Sequence, residues 1–392
     1  MLARSLIFSF LPAKQKQLIP QPGKNFWLSL LFWMLLIAPA QAALELRVAI
    51  EENANQVKIG SSTKAIVRDA TGKPVGEIAP LNAFVAGTES GKVKMNRWQS
   101  NALWVEPTNK GFVWIGDKWY RGRTLVVPTN RGLTAVNYVD LERYLYSVLG
   151  GEVYTNWPQE ALKAQAVAAR TYALYQRQTR GNRLFDVGDT IAWQVYRGVE
   201  TESPSFYTAV DATAGQVLTY RGKLILAAYH AASGGHTENV ENVWGPQIIP
   251  YLRAVPDFDQ GTPGYQWTRS FTAQQLSSRI SGVGQVQSLK PERVSPFGRV
   301  LTMRVIGDKG SRIMSGAELQ RIFELRSIWF SVTPEGNNKS LPTSFRFDGR
   351  GFGHGIGLSQ WGAYGMARQG ANYQQILNHY YRGASLAKIK VR

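Results

Sequence analysis

The chain has 392 residues, a formal net charge of +18 and no cysteine. An apolar fraction of 44% supplies a packed core and excludes a disordered chain, while the lack of thiols excludes a disulfide framework and cysteine-based zinc sites. A cation this strong has three natural partners, anionic lipid, acidic wall polymers and nucleic acid; the charge is spread along the chain without a basic patch, so no nucleic-acid partner is expected.

Residues 1–25 carry Arg4, Lys14, Lys16 and Lys24 and no acid. Residues 26–38 form an apolar run, Pro39 breaks it, and Ala40-Gln41-Ala42 follows. A charged start, a short apolar stretch and an A-x-A site are the three parts of a secretory signal. The run has 13 residues, too short to span a bilayer's hydrocarbon core comfortably. No cysteine follows it, so a lipoprotein anchor is excluded, and no other stretch is long and apolar enough to cross a membrane. The expectation is a signal peptide over residues 1–42 and an exported protein, periplasmic, wall-bound or extracellular, without a stable membrane anchor after cleavage.

Residues 44–50 alternate and predict a first strand. β-Branched runs at 64–67 and 112–115, with turn signals at 71–74 and Gly116-Asp117, extend a β-rich N-terminal lobe over 43–118. The character changes at Asp140. Leu141, Tyr144, Leu145, Val148 and Leu149 recur at helical spacing behind Asp140 as N-cap, and Gly150-Gly151 is read as the helix end. A second helix starts at Pro158 and runs to Gly181; its many alanines predict close packing, with Lys163, Gln165 and Arg170 in need of partners. Residues 216–231 read as a hairpin turning at Arg221-Gly222, and residues 299–306 and 343–348 as strands. Gly370 ends a helix that follows the glycine-rich segment, and Asn372 caps a last one bearing Tyr373, Ile376, Leu377 and Tyr380.

All four histidines, His230, His236, His354 and His379, lie in the C-terminal motifs. Glycines alternate through residues 349–357 around His354, which suits either a close approach to a ligand or a strained turn with His354 packed inside. Glu152 follows the double glycine and precedes Trp157-Pro158, in what reads as a short inter-helix connection. A carboxyl there is either partly desolvated, with a raised pKa and a proton to give, or a plain surface acid.

Three stretches carry a resemblance: LERYLYSVLGGEVYTNWPQEALKAQAVAARTYAL, YHAASGGHTENVENVWG with YLRAVPDFD, and GRGFGHGIGLSQWGAYGMARQGANYQQILNHYY. In order and spacing they resemble the successive signatures of the SpoIID/LytB family, the stage II sporulation protein D and amidase-enhancer proteins, over roughly residues 119–385. The resemblance implies a peptidoglycan-acting protein with glycan strands, and in one branch a cell-wall amidase, as partners. Sporulation members are lytic transglycosylases that cut the MurNAc–GlcNAc bond of strands stripped of stem peptides and leave a 1,6-anhydro end. The family's catalytic acid carries over to Glu152. One carboxylate suffices for that chemistry, since the sugar's own C6 hydroxyl replaces water; Glu160 is the candidate if a second exists. Lys163 and Arg170 match charged positions and are expected either to orient Glu152 and bind sugar groups or to pair with Glu160 and Glu142. His230, Ser233, His354, Ser359, Gln360 and Trp361 are expected to line a shared cleft as substrate-binding groups. Some members hold zinc with cysteines and histidines; residues 189–198 contain neither, and His230 with His236 cannot complete a site, so no metal and no cofactor is expected.

The expected fold is α+β, a β-rich N-terminal lobe packed on a mixed α/β SpoIID-like catalytic lobe over 119–392 that forms a cleft. Two functions compete: a transglycosylase using Glu152, and a non-catalytic wall-binding enhancer of an amidase.

Overall fold

The computed structural model describes residues 7–8, 44–336 and 342–390. The signal-peptide segments at 26–38 and 40–42 lie outside the described residues. Among those described, no helix is long and apolar enough to cross a membrane.

The fold is α+β, with a β-rich N-terminal region, as the alternating patterns imply. Two sheets stack there, antiparallel except for the parallel pairing of Val187–Gly188 with Glu45–Ala54. One holds six strands in the order Lys118–Tyr120, Val113–Ile115, Val57–Ser61, Ala83–Glu89, Lys92–Met95, Trp98–Ser100. The other holds seven, in the order Val187–Gly188, Glu45–Ala54, Gly132–Asp140, Arg123–Thr129, Leu103–Pro107, Ala65–Arg68, Pro74–Ile78. Inward residues such as Val48, Ile59, Val67, Val105, Ile115 and Val126 are fully buried between them. Alternating burial along strands such as Ala65–Arg68 and Val113–Ile115 is what the period-2 pattern encodes, while Gly132–Asp140, in the middle of its sheet, is buried over five successive residues.

Asp140 closes the last long strand and caps the next helix, Leu141–Glu152, accepting from the amides of Glu142 and Arg143 at 3.1 Å each. The helix Gln159–Thr179 then passes between two cores. Ala161, Leu162, Ala166, Ala169 and Ala173 face the N-terminal sheets, while Ala164, Val167 and Ala168 face Leu218, Ile225, Ile356, Leu358, Ile376 and Tyr380. Methyl-sized side chains let packing partners approach on both sides, which accounts for the run of alanines. The strand Gln216–Tyr220 does turn at Arg221-Gly222, but its partner Lys223–Leu224 is only two residues long; its main neighbour is the C-terminal strand Ser385–Lys390.

Residues 266–350 build a unit with its own core. Gln266–Thr272, Ser344–Arg350 and Phe330–Glu335 form one three-stranded sheet, and Val286–Val294, Val300–Gly307 and Gly310–Ser315 another. Phe271, Leu276, Met303, Leu319, Phe323, Phe345 and Phe347 fill the space between them. The sequence reading found two of these strands and not the separate core.

Candidate active site

Glu152 is the last residue of the helix Leu141–Glu152. The reading of Gly150-Gly151 as a helix end is therefore corrected: both glycines are helical, and Glu152 is not in a connecting loop. Their role is contact. A Cβ on Gly150 would lie 1.9 Å from the Thr201 carbonyl oxygen, and one on Gly151 would lie 2.7 Å from that of Val195. In an exposed helix Gly→Ala stabilises by up to about 1 kcal/mol. Here Gly150→Ala is expected to destabilise by about 3 kcal/mol, because backbone must shift to admit the methyl. A urea denaturation midpoint at or above the parent's would contradict this packing.

The close approach brings the backbone of residue 195 onto the carboxylate. The Val195 amide donates to Glu152 Oε1 at 3.2 Å, and Gln360 Nε2 donates to Oε2 at 3.3 Å. A buried relay of side chains lies behind these two donors. Tyr144 donates its hydroxyl to Gln194 Oε1 (3.3 Å), and Gln194 Nε2 donates to Ala169 O (3.2 Å) and to the Tyr229 hydroxyl oxygen (2.9 Å). The Tyr229 hydroxyl lies close enough to Glu152 to work against the rise of its pKa. Burial pushes the Glu152 carboxyl above its ordinary value of 4.5, against the pull of the Val195, Gln360 and Tyr229 donors. All three are uncharged, so no cation holds the group ionised.

The glycine-rich segment positions two of these donors. Gly351, Gly353, Gly355 and Gly357 all have positive φ, between +73° and +109°. A Cβ on Gly357 would lie 2.1 Å from Ala228 O, so the segment lies directly on the strand that carries Tyr229. Tyr229–His230 pairs in parallel with Leu358–Ser359. His354 donates from Nε2 to Tyr229 O (3.0 Å) and accepts at Nδ1 from the Ile356 amide (3.0 Å). Burial lowers its pKa to about 4, so the ring is neutral and holds backbone. His230 is buried, with Nδ1 at 3.2 Å from Ile356 O, and burial pushes its pKa well down. Ser359 caps the helix Gln360–Arg368 through Gly362 N (3.1 Å), which sets Gln360 at the helix start. Ser233 is buried and donates to Asp257. Of the expected cleft residues, Gln360 thus touches Glu152, while His230, Ser233, His354 and Ser359 support the backbone around it.

Trp361 adds a ring. Its centroid lies 4.8 Å from Trp157, 5.3 Å from Tyr364 and 5.9 Å from Tyr154. Trp157 is buried, Trp361 is half-buried and Tyr154 is 61% exposed. This is an aromatic floor open on one side, beginning two residues after Glu152 and one after Gln360, and it suits the stacking of sugar faces.

Lys163 and Arg170 go elsewhere. Lys163 pairs with Glu160 at 2.7 Å, and the Tyr373 amide donates to the other Glu160 oxygen at 2.8 Å. Burial works to raise Glu160, but Lys163 and the Tyr373 amide outweigh it, and its pKa falls. Arg170 is fully buried against Glu142, with Nε 3.0 Å from Oε1. Of the two roles open to them in the sequence, both take the pairing one. Tyr144 and Tyr229 sit in the quoted motifs, Tyr144 as a packing residue of its helix and neither as a site residue, while Gln194 and Val195 lie outside those motifs and reach the site through tertiary packing.

The second unit is tied to this loop by Arg299, which is buried. Its Nη2 donates to Ser233 O (3.2 Å) and His236 O (2.9 Å), and a Cβ on Gly355 would lie 2.4 Å from the guanidinium. The donor set does not suit a metal. The chain has no thiol, and His230, His236, His354 and His379 each set a ring nitrogen against a backbone carbonyl. Among the described residues no three acidic, histidine or cysteine side chains group to hold an ion.

A family model described as stage II sporulation protein matches residues 129–220, and one described as a domain of unknown function matches residues 257–357. An uncharacterized protein of Brachyspira hyodysenteriae is 34% identical over 288 residues, 72% of this chain and 76% of its own length. Stage II sporulation protein D of Bacillus subtilis is 30% identical over 313 residues, 74% of this chain and 85% of its own. The amidase enhancer of Bacillus subtilis is 31% identical over 291 residues, 62% of this chain but 40% of its own.

Proposed function

This chain belongs to the stage II sporulation protein D family, and from that premise we propose that it is a lytic transglycosylase acting on peptidoglycan glycan strands outside the cytoplasmic membrane, with Glu152 as acid and base. The names of its relatives support a cell-wall role. The observation that carries the finer reading is Glu152 itself: a carboxyl whose pKa is raised by burial, held by neutral donors beside an aromatic floor.

Protonated Glu152 gives its proton to the glycosidic oxygen as that bond breaks. The resulting carboxylate takes the proton of the sugar's C6 hydroxyl, and the C6 oxygen closes on C1 as a 1,6-anhydro ring. No water is consumed, so no second carboxylate is needed to activate one. Glu160, bound by Lys163 and the Tyr373 amide, is already engaged. The Val195 and Gln360 donors, both neutral, hold the carboxylate after the first step without making it too weak a base for the second.

The likeness to an amidase enhancer favours a second reading, a wall-binding protein that activates an amidase without cutting glycan. One experiment separates the two. Purified protein is incubated with glycan strands stripped of stem peptides in ¹⁸O-labelled water, and the ends are weighed. Transglycosylation gives anhydro ends free of ¹⁸O; labelled reducing ends mean hydrolysis; no cleavage, with stimulation of an added amidase, supports the enhancer reading.

A further inference from the structure

The second unit brings a buried charge to the glycine-rich segment. Arg299 ends the turn between the strands Val286–Val294 and Val300–Gly307, where Ser295 N donates to Arg299 O at 2.8 Å and Arg299 N to Ser295 Oγ at 3.0 Å. Phe297, in the same turn, stacks on the His236 ring with centroids 4.0 Å apart. The Arg299 guanidinium goes further in, to the carbonyls of Ser233 and His236 and against Gly355. Its Nη1 is 3.7 Å from Glu238 Oε2, and among the described residues neither atom has a hydrogen-bond partner. Asp257 and Asp259 also bear on the guanidinium, but each is bound by donors of its own. Asp257 accepts from Ser233, Tyr380 and the Phe258 amide, and Asp259 accepts from the Gly234 amide at 2.7 Å. Burial pulls the Arg299 pKa down to about 10, so it stays a cation through the neutral and acid range.

Gly355 lies between His354 and Ile356, the two ends of a bond that the segment makes to itself. The Ile356 amide donates, so His354 Nδ1 carries a lone pair, and the ring's one proton sits on Nε2, facing Tyr229 O. A second proton, on Nδ1, would set N–H against N–H across 3.0 Å and part the segment at Gly355. His230, its ring centroid 5.2 Å away, makes the same demand. Its Nδ1 faces Ile356 O as a donor, and its Nε2 is buried with no acceptor for another proton. The Trp244 ring, 4.8 Å from His354, carries no charge. Burial disfavours the protonated form of both histidines, and Arg299 is the charge that adds to it at each. Among the described residues no carboxylate is near enough to the two rings to offset it.

We infer that Arg299 is a positioning residue for the cleavage: its charge keeps His354 neutral, and so keeps the glycine-rich segment bound to the strand that carries Tyr229. The inference rests on the glycan-cleaving reading above. It gives the unit over residues 266–350 a part in the reaction without contact with the sugar. Acid catalysis needs the proton on Glu152, and lowering the pH supplies it. The same lowering threatens the loop, because a protonated His354 cannot accept from Ile356. The working range is therefore bounded above by the raised Glu152 pKa and below by His354, at about 4. Arg299 holds that lower bound down.

The test reads the histidine and the reaction separately. The imidazole carbon–proton NMR signal of His354, assigned by its loss in His354→Asn, is followed against pH. The proteins are the parent, Arg299→Gln, Arg299→Lys, and Arg299→Gln combined with Glu238→Gln. The combined variant removes both charges of the buried pair, so the measurement stands if Arg299→Gln alone does not fold. Strand cleavage is measured over the same pH range. In the parent His354 is expected to stay neutral down to about pH 4. In both proteins with Gln at 299 its midpoint is expected to rise by about one pH unit, and the acid limb of kcat to rise with it, while KM stays within about twofold. Arg299→Lys keeps the charge and is expected to hold both near the parent's. A variant with Gln at 299 that is slower at every pH with an unmoved His354 midpoint has lost packing alone, and overturns the inference. So does an Arg299→Lys protein that shifts as far as Arg299→Gln. Either result leaves the cleavage reading intact, whereas a parent that cuts no strand at any pH overturns that reading and the role built on it.

Discussion

Glu152→Gln is expected to lower the rate of anhydro-product release by about 10³–10⁴, the full range of positioned acid–base catalysis, because one group serves both proton transfers. Gln keeps the shape and can still accept from the Val195 amide, so binding of the strand is expected to stay near the parent's. The parent's activity is expected to fall as pH rises through the raised Glu152 pKa, since the deprotonated form has no proton for the leaving oxygen. Stability carries the same signature. A carboxyl whose pKa is higher in the folded than in the unfolded state stabilises fully below its unfolded value, near 4.5, and that stabilisation is lost as pH rises through the folded value. At neutral pH the charged form is held at a cost, so Glu152→Gln is expected to raise the melting temperature there and to leave it unchanged well below pH 4.5. Unchanged product release by the variant, measured by mass, would remove Glu152 from the chemistry.

Arg170→Met is expected to cost about 3–5 kcal/mol of folding stability, measured by urea denaturation. Arg170 is fully buried, and it donates not only to Glu142 but also to Gln216 O (3.1 Å) and Val210 O (3.3 Å). Glu142 in turn accepts from the Gly215 amide at 3.0 Å, so the pair joins two helices to the turn before the strand Gln216–Tyr220. Removing the cation leaves a carboxylate partly inside the protein without its partner, and that accounts for most of the loss. Glu142→Gln added to Arg170→Met is therefore expected to recover part of it. A stable Arg170→Met protein that cannot bind strand would return Arg170 to the substrate-binding role the resemblance offered.

The local pattern carried much of the fold. Apolar residues at helical spacing behind Asp140, the alanine run, the alternating strand at 44–50, and Asn372 with its capping box at the last helix are each visible without a structure, because they depend on neighbours within a turn or two. The unit over residues 266–350 was not visible as such. Its core joins Phe271 to Phe345 and Phe347, more than seventy positions apart, and no local period records that.

At the site the division is finer. The sequence by itself placed Glu152, Gln360, His354 and Trp361 in motifs, and the resemblance gave Glu152 a role. Only the tertiary structure decided what surrounds the carboxylate. Gly150-Gly151 read as a stop signal because glycine is a poor helix former, yet contact with Thr201 and Val195, some fifty positions on, outweighs that weak preference and keeps both in the helix. The same contact delivers the Val195 amide, while Tyr229 lies on one of two parallel strands joined across more than a hundred residues and Gln360 starts the helix that follows the other. A pKa is set by the dielectric and the donors within a few ångströms, and those neighbours are fixed by long-range packing, not by order along the chain.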